Sequence, residues 1–168
     1  MSLISFIKDA GEKLFGHHDD AATTATPTDG TPATVDVATA NANAAAAILT
    51  YIQTQNLQAQ DLNIEYDGAS GVATVSGIAE DQATKEKILL AAGNVHGVSH
   101  VQDNLSVTTP SPASGLYTVQ KGDTLSSIAK SQLGNANDYN EIFEANRPLL
   151  TSPDKIYPGQ VLRIPEKQ

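Results

Sequence analysis

Four histidines, nineteen carboxylates and a Thr-Leu-Ser-Ser run are the side chains of this chain that could do chemistry. His17-His18 lie in a polar stretch, and His96 and His100 flank an expected turn. Nothing supplies them with a convergent ligand set, so they read as solvated. Asp123-Thr124-Leu125 and Ser126-Ser127 read as a helix cap and first turn; no histidine stands beside a serine to activate it. With no cysteine, thiolate catalysis, disulfides and cysteine-ligated metal sites are all excluded. Asp19-Asp20 would suit calcium or magnesium, yet no Asp-x-Asp-x-Asp-Gly loop occurs. Catalysis is not expected. Gly93 and Gly97 read, on the sequence alone, as a helix cap and a turn. Two expected helices are closed by glycine, one near Ala10-Gly11 and one near Gly93. A helix C-terminus leaves up to four carbonyls without intrahelical partners and carries partial negative charge.

The elements that must position these ends emerge from composition and periodicity. Hydrophobics reach 40% but aromatics only 5%, so a large aromatic core is excluded. Net charge is −9, against nucleic acid, which needs clustered Lys and Arg. All of it sits in residues 1–115, because residues 116–168 hold six bases and six acids. Two electrostatic halves suggest two units. The N-terminus lacks the early cation of a secretory signal, and no run approaches the ~18–20 apolar residues of a membrane span, so a cytoplasmic protein without membrane contact is expected.

Residues 16–42 are rich in Ala and Thr with Pro27, Pro32 and Gly30, a composition that cannot offset the entropy of ordering. They are expected to be a linker, as are residues 108–115, with two prolines and no charge. Three ordered segments remain. In residues 1–15, Leu3, Ile7, Ala10 and Leu14 form a helical stripe. The charges beside it sum to zero, favouring docking onto the protein's own domain over a membrane surface. In residues 43–107 the pattern predicts helix, two strands joined at Asp67-Gly68, a helix with Ile88, Ala91 and Ala92 inward, and a strand with Val101, Leu105 and Val107 on one face. In residues 116–168 it predicts strand, helix, helix and strand.

The second segment resembles the BON domain in Gly71-Val-Ala-Thr-Val-Ser-Gly77, in the Lys85–Ala92 helix, and in Gly97-Val98 with the strand that follows. The third resembles the LysM domain, because Tyr117-Thr-Val-Gln-Lys-Gly-Asp-Thr-Leu125 and Ile156-Tyr-Pro-Gly-Gln-Val-Leu162 fit at the right separation. The expected fold is α+β: an N-terminal amphipathic helix, a BON-like αββαβ unit, a linker, and a LysM βααβ unit.

A leading Lys8-Asp-Ala-Gly-Glu-Lys-Leu14 segment, then BON, then LysM resembles the small cytoplasmic potassium-binding BON–LysM family of enteric bacteria. That resemblance implies a K+ ligand held by backbone carbonyls of Ile7, Ala10, Gly93 and Val95, with Glu12 beside them. Physically, potassium suits carbonyl oxygens that replace its hydration shell, and a docked leading helix would bring its glycine-closed end to the BON one. The resemblance to LysM implies a rival: a shallow groove for N-acetylglucosamine polymers, such as peptidoglycan fragments, flanked by Gly122, Asp123, Thr124 and Leu125 and by Ile156, Tyr157, Pro158 and Gly159. A third possibility is a non-catalytic adaptor for protein partners. A monomer is expected.

Overall fold

The computed structural model describes residues 36–166. The expected N-terminal helix and the expected linker through residue 35 lie outside the described residues.

Helix α1 spans Val37–Thr54, capped by Asp36, whose carboxylate accepts from the Ala38 N–H. Residues 37–42, assigned by composition to the linker, are its first turns. They carry no apolar stripe, but alanine has the highest helix propensity and Asp36 supplies a cap. Ala44, Ala45, Ile48 and Ile52 turn inward. The helix ends at Asn56, which takes the left-handed conformation (φ 58°), while Asn56 and Leu57 N–H groups bond back to Gln53 and Ile52. Asparagine does here what glycine more often does.

Strand β1 (Ala59–Asp67) pairs antiparallel with β2 (Val72–Asp81). The register slips between Gln60 and Asn63, where Asp61 has φ 51°. Gly77 lies opposite, and a Cβ there would sit 2.8 Å from the Gln60 carbonyl oxygen. Only glycine fits against the bulge. Helix α2 (Gln82–Gly93) is capped by Asp81, whose Oδ1 accepts from Thr84 N–H at 2.7 Å. Glu80, just before that cap, is still in the strand. Strand β3 (His100–Thr109) runs parallel to β2, giving the order β1-β2-β3. A parallel pair demands a crossover, and α2 is that crossover. Ile52, Ala73, Val75, Ile88 and Ala92 close the core between helices and sheet at 0% exposure.

Strand β3 runs through Thr108 and Thr109, so only residues 110–114 connect it to β4 (Gly115–Thr118). β4 pairs antiparallel with β5 (Val161–Ile164). Between them lie α3 (Leu125–Gln132), a 3-10 turn (Ala136–Asp138) and α4 (Tyr139–Ala145). Thr124 and Ser127 form a reciprocal capping box at the start of α3. A second core gathers Leu125, Ile128, Ala129, Ile142, Leu150 and Leu162.

The two units touch. The Asn94 carboxamide, just past α2, donates to the Val161 carbonyl (3.1 Å) and accepts from the Val161 N–H (2.9 Å). Glu86 on α2 accepts from Arg163 Nε at 2.6 Å, from Gln82 Nε2 at 2.9 Å and from Ser114 N–H at 2.9 Å. Burial pushes this carboxyl up, but the bonds from Arg163, Gln82 and Ser114 together outweigh it and hold it below its ordinary range. Leu149 packs against the first core from the second unit.

Candidate functional site

The corner between α2 and β3 is where the sequence expected carbonyl ligands. Gly93 is the last residue of α2, and its neighbour Asn94 (φ −86°, ψ 2°) is the cap. Gly93 was expected to close the helix through backbone angles open to glycine. Instead its φ lies outside the left-handed region, and the residue serves close packing, since a Cβ would stand 3.2 Å from Val101 Cγ2. The left-handed residue is Gly97, at φ +92°. Val95 to Val98 form a tight turn closed by a 3.1 Å bond from Val98 N–H to the Val95 carbonyl. Gly97 occupies its third position, where a positive φ selects glycine. Among the described residues the Val95 oxygen accepts this one bond, and a carbonyl oxygen carries a second lone pair.

Two clamps hold this corner. Tyr66 on β1 is 9% exposed, and its hydroxyl donates to the Gly97 carbonyl at 2.8 Å. Downstream, Ser99 N–H donates to the Gly71 carbonyl at 2.8 Å. Beside Gly93 opens a cleft of about 390 Å³ between the two units, with Leu89, Val98, Val101, Leu116 and Val161 among its walls. Leu116 is 63% exposed there. Gly93 and Val95 are therefore brought to one corner, while Ile7, Ala10 and Glu12 lie outside the described residues. Among the described residues no three His, Asp or Glu side chains converge on one point.

The loops expected to flank a glycan groove do come together. Gly159 N–H donates to the Val119 carbonyl (2.9 Å), and Val119 N–H to the Gln160 carbonyl (2.8 Å). Gly122 (φ +92°) and Gly159 (φ +88°) both face open space. The individual side chains are less free than their order suggests. Leu125 is 2% exposed and belongs to the core, so only its backbone could meet a ligand. Asp123 accepts from Gln120 N–H and from the Tyr117 hydroxyl, and Thr124 caps α3. Ile156 is partly buried on the second core, while Pro158 is exposed. Tyr157 is 39% exposed; burial and the nearby Tyr51 of α1 both push its hydroxyl up. Tyr157 therefore borders the first unit.

Sequence reasoning missed Tyr66, Asn94, Glu86 and Arg163 as positioning groups. The turn at Val95-His-Gly-Val98 was legible from its glycine. Asn94 and Val161 stand 67 residues apart, and Glu86 and Arg163 stand 77 apart, with no local pattern to link them.

The BON domain model matches residues 40–109 and the LysM domain model residues 117–165. The chain is 46% identical over 172 residues to a curated protein of Escherichia coli O6:H1, "Potassium binding protein Kbp", covering 99% of this chain and 100% of that one. An uncharacterized protein of Deinococcus radiodurans is 46% identical over 50 residues, 30% of this chain and 19% of its own length.

Proposed function

We propose that this chain, which belongs to the family of the potassium binding protein Kbp and joins a BON domain to a LysM domain, itself binds potassium. The observation that carries the reading is identity of 46% along the whole length, both domains included. The α2–β3 corner supports it chemically. It offers carbonyls of Gly93 and Val95 at a helix C-terminus, where partial negative charge attracts a cation without demanding a carboxylate cluster.

The remaining donors would come from Ile7 and Ala10, with Glu12 nearby, on a leading helix that docks beside this corner. The cleft next to Gly93, walled by Leu89, Val98 and Leu116, suits the stripe of Leu3, Ile7, Ala10 and Leu14. Such a protein acts by binding alone, as a monomeric sensor or buffer. The reading carries with it a cytoplasmic location, where potassium is the dominant cation.

Calorimetric titration with KCl and with NaCl at constant ionic strength tests it. Potassium should give a saturable heat, and millimolar KCl should raise the melting midpoint where equal NaCl does not. Equal effects of the two salts would reduce binding to screening and overturn the reading.

A second reading concerns the LysM half. The bonds joining Val119 to Gly159 and Gln160 support a shallow glycan groove by tying the second loop to the strand that leads into the first, and Gly122 and Gly159 stand open beside it. Titration with chito-oligosaccharides, followed by amide shifts of Gly122 and Gly159, tests that groove. Unmoved shifts would dismiss it.

A further inference from the structure

We propose that Tyr66 is a positioning residue for the cation corner, and that its hydroxyl, through Gly97, sets how sharply the corner distinguishes potassium from sodium. The inference rests on the potassium reading above and names a residue on a different strand from the carbonyl donors. Tyr66 comes from β1, whereas the corner joins α2 to β3, so β1 reaches across the end of the sheet to hold it. The ring is buried in the first core, and the hydroxyl reaches the Gly97 carbonyl at 2.8 Å.

That bond orients the peptide that closes the Val95–Val98 turn, and the turn fixes the Val95 carbonyl through the Val98 N–H. Gly97 cannot easily be replaced. Its φ of +92° strains any side chain, although a Cβ would meet only an ordinary contact, 3.4 Å from the Tyr66 hydroxyl. On the other side of the turn, Ser99 is tied to Gly71. The oxygens before Gly97 thus sit between the end of α2 and a turn that is held at Gly97 and again just beyond it at Ser99. Discrimination between cations by carbonyls depends on how many oxygens face the ion and how far they can close on it. A pinned corner cannot contract around the smaller sodium ion; a loosened one can.

Tyr66→Phe removes one hydroxyl and keeps the packed ring. Deleting one hydrogen bond of ordinary strength should weaken potassium binding about three- to tenfold, with a smaller loss for sodium. The affinity ratio between the two ions should therefore fall. Tyr117→Phe is the matched control, because it removes a hydroxyl that bonds Asp123 in the other domain. Both variants should melt slightly lower in ion-free buffer, but only Tyr66→Phe should change the ratio. Gly97→Ala perturbs the same turn by a second route, through the strain of a side chain at φ +92°, with the tyrosine side chain left in place.

Calorimetric titration of the full chain with KCl and NaCl reads all of this. A lower ratio in Tyr66→Phe and Gly97→Ala supports the proposal. An unchanged ratio in Tyr66→Phe, with wild-type potassium binding intact, overturns it and leaves the parent reading standing. Absence of selective binding in the wild type overturns both.

Discussion

The BON and LysM halves solve the same problem, satisfying backbone polar groups around a small core, in opposite ways. In the LysM half the strands are antiparallel, and side chains fill the gaps they leave. Asn146 donates to the Arg163 carbonyl and accepts from its N–H, each at 2.8 Å, closing the outer edge of β5. Asp123 serves Gln120 N–H, and Thr124 and Ser127 serve each other's amides. The BON half contains a parallel pair, so its chain must climb through α2 and descend again into β3. That return creates a corner of carbonyls at a helix C-terminus, held by turns and by Tyr66. A parallel pair produces helix ends as a by-product, and a helix end is a place for an ion. At the seam the two habits meet, since Asn94 treats Val161 as Asn146 treats Arg163.

The sharpest way to break the comparison is to hollow one core at a time. Ile52→Ala and Leu162→Ala should each cost about 2–5 kcal/mol, because the native residues are 0% and 1% exposed. If the cores are separate, hydrogen exchange will show each loss confined to its own half. Loss spread evenly over both would make them one cooperative unit.

Asn146→Ala should cost about 1–3 kcal/mol in the LysM half, because it strands the N–H and carbonyl of Arg163. Asn94→Ala removes an equivalent pair of bonds across the seam. It should leave each half's own protection intact while residual dipolar couplings show the halves reorienting. A rigid pair after Asn94→Ala would assign the docking to other contacts.

Acidification sharpens the seam further. Glu86 is held below its ordinary pKa of 4.5, so the folded state favours its ionised form. The stability this gives is complete above the ordinary value and is lost as pH falls through the lower folded one. Acid titration should therefore weaken domain docking in the wild type more than in Glu86→Gln, read by the same couplings. Equal acid sensitivity would remove Glu86 from the seam.

The smallest effects belong to the caps. Asp81→Ala on α2 and Thr124→Ala on α3 should each cost about 1 kcal/mol, seen as a lower denaturation midpoint. Because α2 ends at the corner proposed for the ion, Asp81→Ala alone should also weaken potassium binding.

Much of the fold was legible because its signals are local. Alternation in Leu62, Ile64 and Tyr66, the Gly71–Gly77 strand and the Leu125-Ile128-Ala129 stripe depend on neighbours within a few residues. The start of α1 was not legible, since residues 37–42 are exposed or half-buried and offer no stripe, only alanine propensity and the Asp36 cap. Gly93 was placed at the correct helix end for the wrong reason. Sequence marks it as a breaker, whereas the structure uses its missing side chain to admit Val101.

The sequence by itself determined two small α+β units in order, their turns, and the glycine at position 97, because periodicity, capping and φ preference act over one or two turns of chain. Tertiary structure alone decided that Tyr66 would clamp Gly97 across 31 residues, and that Asn94 and Glu86 would meet Val161 and Arg163. The physical reason lies in what those bonds use. Tyr66 and Asn94 reach backbone carbonyls and amides, which every residue carries alike, so side-chain identity at Gly97 or Val161 gives no sign of the partner.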